Sequence, residues 1–167
     1  MSEGWDEIWH HHTKLNWFGR RLKSSQKKVL WKVVNDKLSL PRNSKIVDVG
    51  CGTGAMLNFF RRFGYTNSIG VDASDESLKV CEKMFKFEKN KDVFLMDARK
   101  MKFKAKSFDM VFSDGMLEHL PEIDKALSEF ARISKKYILL FQPNQNSLFG
   151  RLKKFISKHK EVSWEKE

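Results

Sequence analysis

From Lys45 onward, short apolar runs alternate with amphipathic stretches of helical period, and this alternation constrains the fold more than any other feature. "KIVDVG", "SIGVDA", "DVFLMDA", "SFDMVFSDG" and "YILLFQP" read as strands. "AMLNFFRRFG" reads as a helix closed by Gly64. "SDESLKVCEKMFKF" reads as a helix with Ser74 as N-cap and Asp75 and Glu76 at the positive end of its dipole. "PEIDKALSEFARIS" reads as a helix with Pro121 at its first position. Strands that alternate with helices of about 10–15 residues form βαβ units and a parallel sheet. Right-handed crossovers put helices on both faces. Ligands in such folds sit beyond the carboxyl ends of the strands.

The first strand runs straight into "GCGTG". Gly50, Gly52 and Gly54 follow a strand and open a helix, so the backbone can turn tightly and approach a ligand. Gly50, Gly52 and Ala55 also fit the dinucleotide pattern, so the turn alone leaves the ligand open. Three acids narrow it. Asp48 lies within the first strand's end just before the glycines, Asp72 ends the second strand and Asp97 ends the third. A carboxylate at Asp72 can accept both hydroxyls of a ribose. One at Asp97 can accept from an adenine amino group. Three acids around one turn disfavour a pyrophosphate and suit a ligand with a sulfonium and an ammonium. Each carboxylate taken singly also fits a capping role.

"VDVGCGTG", "GVDAS", "LMDA" and "FDMVFSDGMLEHL", in this order and spacing, resemble the class I S-adenosylmethionine-dependent methyltransferases. The nearest likeness is to the small-molecule branch that includes quinone-biosynthesis C-methyltransferases. The resemblance implies an α/β, doubly wound Rossmann-like sheet of order 3-2-1-4-5. It implies S-adenosyl-L-methionine as cofactor and S-adenosyl-L-homocysteine as product. By position, Asp48, Gly50, Cys51, Gly52 and Gly54 would hold the methionine part, and Asp72 the ribose. Ala73, Ser74 and Ala98 would line the adenine pocket, with Asp97 on the adenine amine. Ser113 and Asp114 would lie near the transferred methyl. His119 is the candidate base, needed only if the acceptor must lose a proton. A packing role at the start of a helix is its alternative. No metal is expected: a related metal-binding run, Glu-x-x-Glu-His, would need a glutamate where Gly115 stands.

Three segments are expected: a helical cap over 1–43, a Rossmann-like domain over 44–145, and a basic amphipathic segment over 146–167. Helical spacing runs from Asn16 to Leu38, and Pro41 ends it. Trp5, Trp9, Trp17 and Trp31 crowd this end, either packing the cap or walling the acceptor site. His10 to His12 read as surface. Leu148, Phe149, Leu152, Phe155 and Ile156 share one helical face, away from Lys153, Lys154 and Lys158. Such a helix packs as a lid or lies peripherally on an anionic membrane. The usual sixth and seventh strands are expected to be missing, which opens a sheet edge to a homodimer.

The net charge of +11 admits an anionic partner, and both ends are more basic per residue than the middle. No apolar run approaches the roughly 20 residues of a membrane span. Cys51 and Cys81 form neither a disulfide framework nor a zinc site. The expectation is a cytoplasmic methyltransferase with an unidentified small-molecule acceptor. An RNA-modifying enzyme and a non-catalytic cofactor-binding partner subunit are the alternatives.

Overall fold

The computed structural model describes residues 28–142. The first three tryptophans, the histidine run and segment 146–167 lie outside the described residues. So do the expectations of missing strands and of a C-terminal amphipathic helix.

Residues 28–32 are α-helical and continue as a π-helical turn over Val33–Lys37, where Leu38 N–H donates to Val33 C=O at 2.9 Å. Five strands follow: β1 (Ile46–Val49), β2 (Ser68–Asp72), β3 (Val93–Leu95), β4 (Phe108–Asp114) and β5 (Ser134–Phe141). All pairings are parallel and the order is β3-β2-β1-β4-β5, as expected. Helix α1 (Ala55–Arg62) connects β1 to β2, α2 (Asp75–Phe85) connects β2 to β3, and α3 (Ile123–Ile133) leads into β5.

Every residue of β1 is buried, which is the signature of a central parallel strand covered on both faces. On one face Val47, Val49 and Val111 pack with Phe130 and Ile133 of α3. On the other, Ile46, Met110 and Phe112 pack with Leu30 and Val34 of the N-terminal helix and with Phe60 of α1. The Phe60 ring stands edge-on to Phe112, with centroids 5.2 Å apart. Burying one such side chain contributes roughly 2–3 kcal/mol. A third cluster, with Leu57, Leu78, Cys81 and Val93, seats α2 behind the glycine turn.

Four boundaries differ from the sequence reading. β3 stops at Leu95 because the chain turns at Asp97, whose carboxylate accepts from Arg99 N–H at 2.8 Å, an Asx-type turn. Pro121 is not the first residue of α3. Glu122 is its N-cap, so the proline lies just outside. β5 begins at Ser134, directly after α3, three residues before the run "YILLF". A bulge between Phe108 and Met110 absorbs the extra residue there. The N-terminal helix widens into a π turn, which no apolar spacing marks. Among the described residues, no helix is long and apolar enough to cross a membrane.

Candidate functional site

The carboxyl ends of β1, β2 and β4 meet at the glycine turn. Gly50, Gly52 and Gly54 all have left-handed φ, +76°, +52° and +78°. At Gly54 the requirement is double, since a Cβ would also overlap Cys81 Sγ on α2. Gly50 is covered by Met116, whose Cγ would stand 2.5 Å from a Cβ there. The turn is therefore wedged between α2 and the segment after β4.

Asp72 pins the turn. Its Oδ2 accepts from Gly52 N–H at 2.7 Å and its Oδ1 from Ser74 N–H at 2.9 Å. Ser74 in turn caps α2 by accepting from Ser77 N–H at 3.1 Å. One carboxylate thus ties the end of β2 to the glycine turn and the start of a helix.

Asp48 is different. It lies on β1, is 2% exposed, and its Oδ2 has no hydrogen-bond partner among the described residues. Burial raises its pKa well above the ordinary range, and the charges of Asp114 and Asp72 push the same way. A backbone hydrogen bond from Leu57 opposes them only in part. A buried polar atom without a partner is costly and calls for an explanation, and a bound group is one such explanation. Burial and the Asp48 charge likewise raise the Cys51 thiol, and burial lifts Cys81 to about 12. Neither cysteine is an activated nucleophile.

The remaining candidates take varied positions. Ser113, on β4, is fully buried, and its hydroxyl has no partner among the described residues. Ala73 is half-buried beside Asp72. Ala98 is packed into the core that α3 covers. Asp97 follows Met96, whose N–H donates to Asp72 C=O at 2.9 Å, so the ends of β2 and β3 are adjacent. Hydrogen bonds from Arg99 hold Asp97 below the ordinary carboxylate range, against the opposing effect of burial. His119 closes the short 3-10 turn Leu117–His119, with Nε2 3.4 Å from Glu118 Oε1. Sequence reasoning missed Arg99 and Met116. Arg99 carries no pattern signal, and the seat of Met116 on Gly50 is a contact between distant parts of the chain. Among the described residues, no group of three or more His, Cys, Asp or Glu is placed to hold a metal ion.

Residues 47–140 match the family described as methyltransferase domain. The chain belongs to that family. Its members are S-adenosylmethionine-dependent methyltransferases, in line with the motifs around the glycine turn. This methyltransferase domain is 29% identical over 100 residues to the ubiquinone biosynthesis O-methyltransferase of Pelagibacter ubique, covering 60% of this chain and 41% of that protein. It is 31% identical over 117 residues to a tRNA (carboxymethyluridine(34)-5-O)-methyltransferase of Xenopus tropicalis, covering 68% of this chain and 17% of that protein. The chain spans less than half the length of these two relatives. The solved structure of a Pyrococcus horikoshii protein shares the fold with a TM-score of 0.68, at 23% identity, covering 86% of this chain and 67% of that one.

Proposed function

We propose that this methyltransferase domain binds S-adenosyl-L-methionine and transfers its methyl group to a small-molecule acceptor in the cytoplasm. The observation that carries the reading is the buried Asp48 carboxyl, with its unpartnered oxygen, flanked by Asp72 and Asp114 at a left-handed glycine turn. A pyrophosphate would meet three acids there. A cation would meet the acceptors it needs. In this reading Asp48 and the turn Gly50, Cys51, Gly52 and Gly54 hold the methionine part, and Asp72 holds the ribose. Ala73, Ser74 and Ala98 flank the adenine, and Asp97 accepts from its amino group. Ser113 and Asp114 face the transferred methyl.

When bound, the cofactor supplies a methyl group on a sulfonium, already activated towards in-line displacement. The chain's work is then mostly positioning. Asp72 does so by fixing Gly52 and Ser74 together. Met116 does so by seating the segment 115–119 on Gly50. His119 accepts the acceptor's proton where the acceptor is an O–H or N–H group, and Glu118 beside it orients the ring. The acceptor atom is open among O, N, C and S.

Calorimetric titration with S-adenosylmethionine, S-adenosylhomocysteine and NAD tests the assignment. Micromolar binding of the first two, absence for NAD, and loss of about 100-fold or more in Asp72→Ala are expected. Binding of NAD alone would overturn it. A second reading, an RNA acceptor, is favoured by the +11 charge and by the likeness to a tRNA enzyme. An affinity for tRNA that falls steeply with salt, together with methyl incorporation, would select it. Tight cofactor binding with turnover only on adding a partner protein would instead select a non-catalytic subunit.

A further inference from the structure

Arg99 encloses the Asp97 carboxylate. Its Nε stands 3.0 Å from Oδ1 and 3.1 Å from Oδ2, one terminal nitrogen donates to Oδ2 at 2.7 Å, and its backbone N–H donates to Oδ1 at 2.8 Å. The other terminal nitrogen reaches Glu122 Oε2, at the N-cap of α3, at 3.3 Å. The arginine is the more covered partner, its side chain 24% exposed against 43% for Asp97. The guanidinium is therefore packed away on one flank and the carboxylate opens on the other. Three N–H groups, one of them shared between the two oxygens, meet a carboxylate with about four acceptor positions, so one acceptor direction remains.

We infer that Arg99 is the positioning residue of nucleobase recognition: it fixes Asp97 so that one acceptor direction remains, and that direction selects an amino group over a carbonyl. The inference rests on the reading above that Asp97 faces the adenine. A fixed acceptor aimed at an amine cannot satisfy a ligand that presents a carbonyl oxygen, because two acceptors then face each other with no proton between them. Arg99 also holds the carboxyl below the ordinary carboxylate range, and an ionised carboxylate cannot turn donor to accommodate the carbonyl. A fork of donors in fixed geometry suits this task, which a lysine cannot perform in the same way.

The test compares S-adenosyl-L-homocysteine with its deaminated counterpart, S-inosyl-L-homocysteine, by calorimetry on the full chain. These ligands differ at the purine by an amine against a carbonyl. The unaltered protein is expected to prefer the adenosyl ligand by about tenfold or more. Arg99→Ala is expected to narrow the preference to about threefold or less, mainly by weakening the adenosyl ligand. Arg99→Lys is expected to stay below the unaltered protein, and it supplies the ratio if Arg99→Ala binds too weakly to measure. Glu122→Gln removes the charge from the outer contact, leaves Asp97 enclosed, and keeps the full preference. If Arg99→Ala weakens both ligands equally, the arginine only staples the loop and the inference is overturned. If the unaltered protein binds the adenosyl ligand without discriminating, the inference fails while the cofactor assignment stands. If it binds neither, the cofactor assignment fails and the inference falls with it.

Discussion

The two ends of the sheet treat their carboxylates in opposite ways. At the amino end, Asp92 accepts from Arg61 at 2.7 Å and from Glu88 N–H at 2.9 Å, and Arg61 also donates to Ser68 C=O at 2.8 Å. Burial alone would raise Asp92, but the backbone hydrogen bond and Arg61 outweigh it and hold the group low. At the carboxyl end, Asp48 has, among the described residues, no cation beside it and an unpartnered oxygen, and burial with two acidic neighbours drives its pKa up. A shallow hollow with Lys45, Arg61, Lys91 and Asp92 on its lining lies at the amino end, but its main arginine is already matched. The first arrangement holds strands together. The second costs stability, and under the proposed reading that cost is readiness for a cation, the pattern expected of a binding site in a fold otherwise internally consistent.

The sharpest way to break the comparison uses two glycines. Gly54, at the site, and Gly64, at the far end of α1, both have left-handed φ, +78° and +90°. A Cβ at Gly54 meets a buried thiol, whereas one at Gly64 meets the flexible Arg42 side chain at 3.4 Å. Gly64→Ala is expected to cost about 1–2 kcal/mol, the conformational term alone. Gly54→Ala adds overpacking and is expected to cost roughly 2–5 kcal/mol. Urea unfolding of both variants measures the difference, and equal losses would mean that α2 yields freely.

Next come the two acids. Asp92→Asn is expected to cost about 2 kcal/mol at neutral pH through its charge-assisted bonds. Its effect should fade in acid: a group held low contributes stability above the unfolded value of about 3.9 and loses it as pH falls through the native one. Asp48 has the reverse sign. A group held high favours the native state below about 3.9, and stability then falls by about 1.4 kcal/mol per pH unit up to its native value. Asp48→Asn should remove that slope and gain relative stability as pH rises. Stability measured from pH 3 to 8 on both variants checks this, and parallel profiles would refute the contrast. The smallest effect is expected at the surface. Asp75 is held down to about 2, first by its hydrogen bond from Lys79 and then by that from Lys89. Lys89→Ala is nevertheless expected to leave the thermal midpoint unchanged within error, because exposed pairs are screened.

The strand alternation and the glycine turn made the sheet legible before any coordinates, since a parallel sheet writes its burial as apolar runs. "KIVDVG" and "SIGVDA" lie within two residues of β1 and β2. The Ser74 cap was equally readable, because capping is local. What failed was also local but not periodic: the Asx-type turn that shortens β3, the direct passage from α3 to β5 and the π turn at Val33. In the candidate site, the acids were legible as types at strand ends. Their states were not. That Asp48 is unmatched and Asp97 enclosed depends on neighbours such as Asp114, Leu57 and Arg99, whose approach is set by tertiary packing.

The strand order has a consequence for the growing chain. β1 pairs with β2 soon after it in sequence, but its other partner, β4, arrives only after two helices and two further strands have been made. Until Met110 and Val111 dock against Ile46 and Val47, the central strand is an apolar edge. Such non-local pairing is slow, and an exposed edge invites association with other chains. During synthesis the vulnerable interval is therefore the one before residues 108–114 leave the ribosome, so mutations in β4 should lower soluble yield more than their cost in equilibrium stability implies.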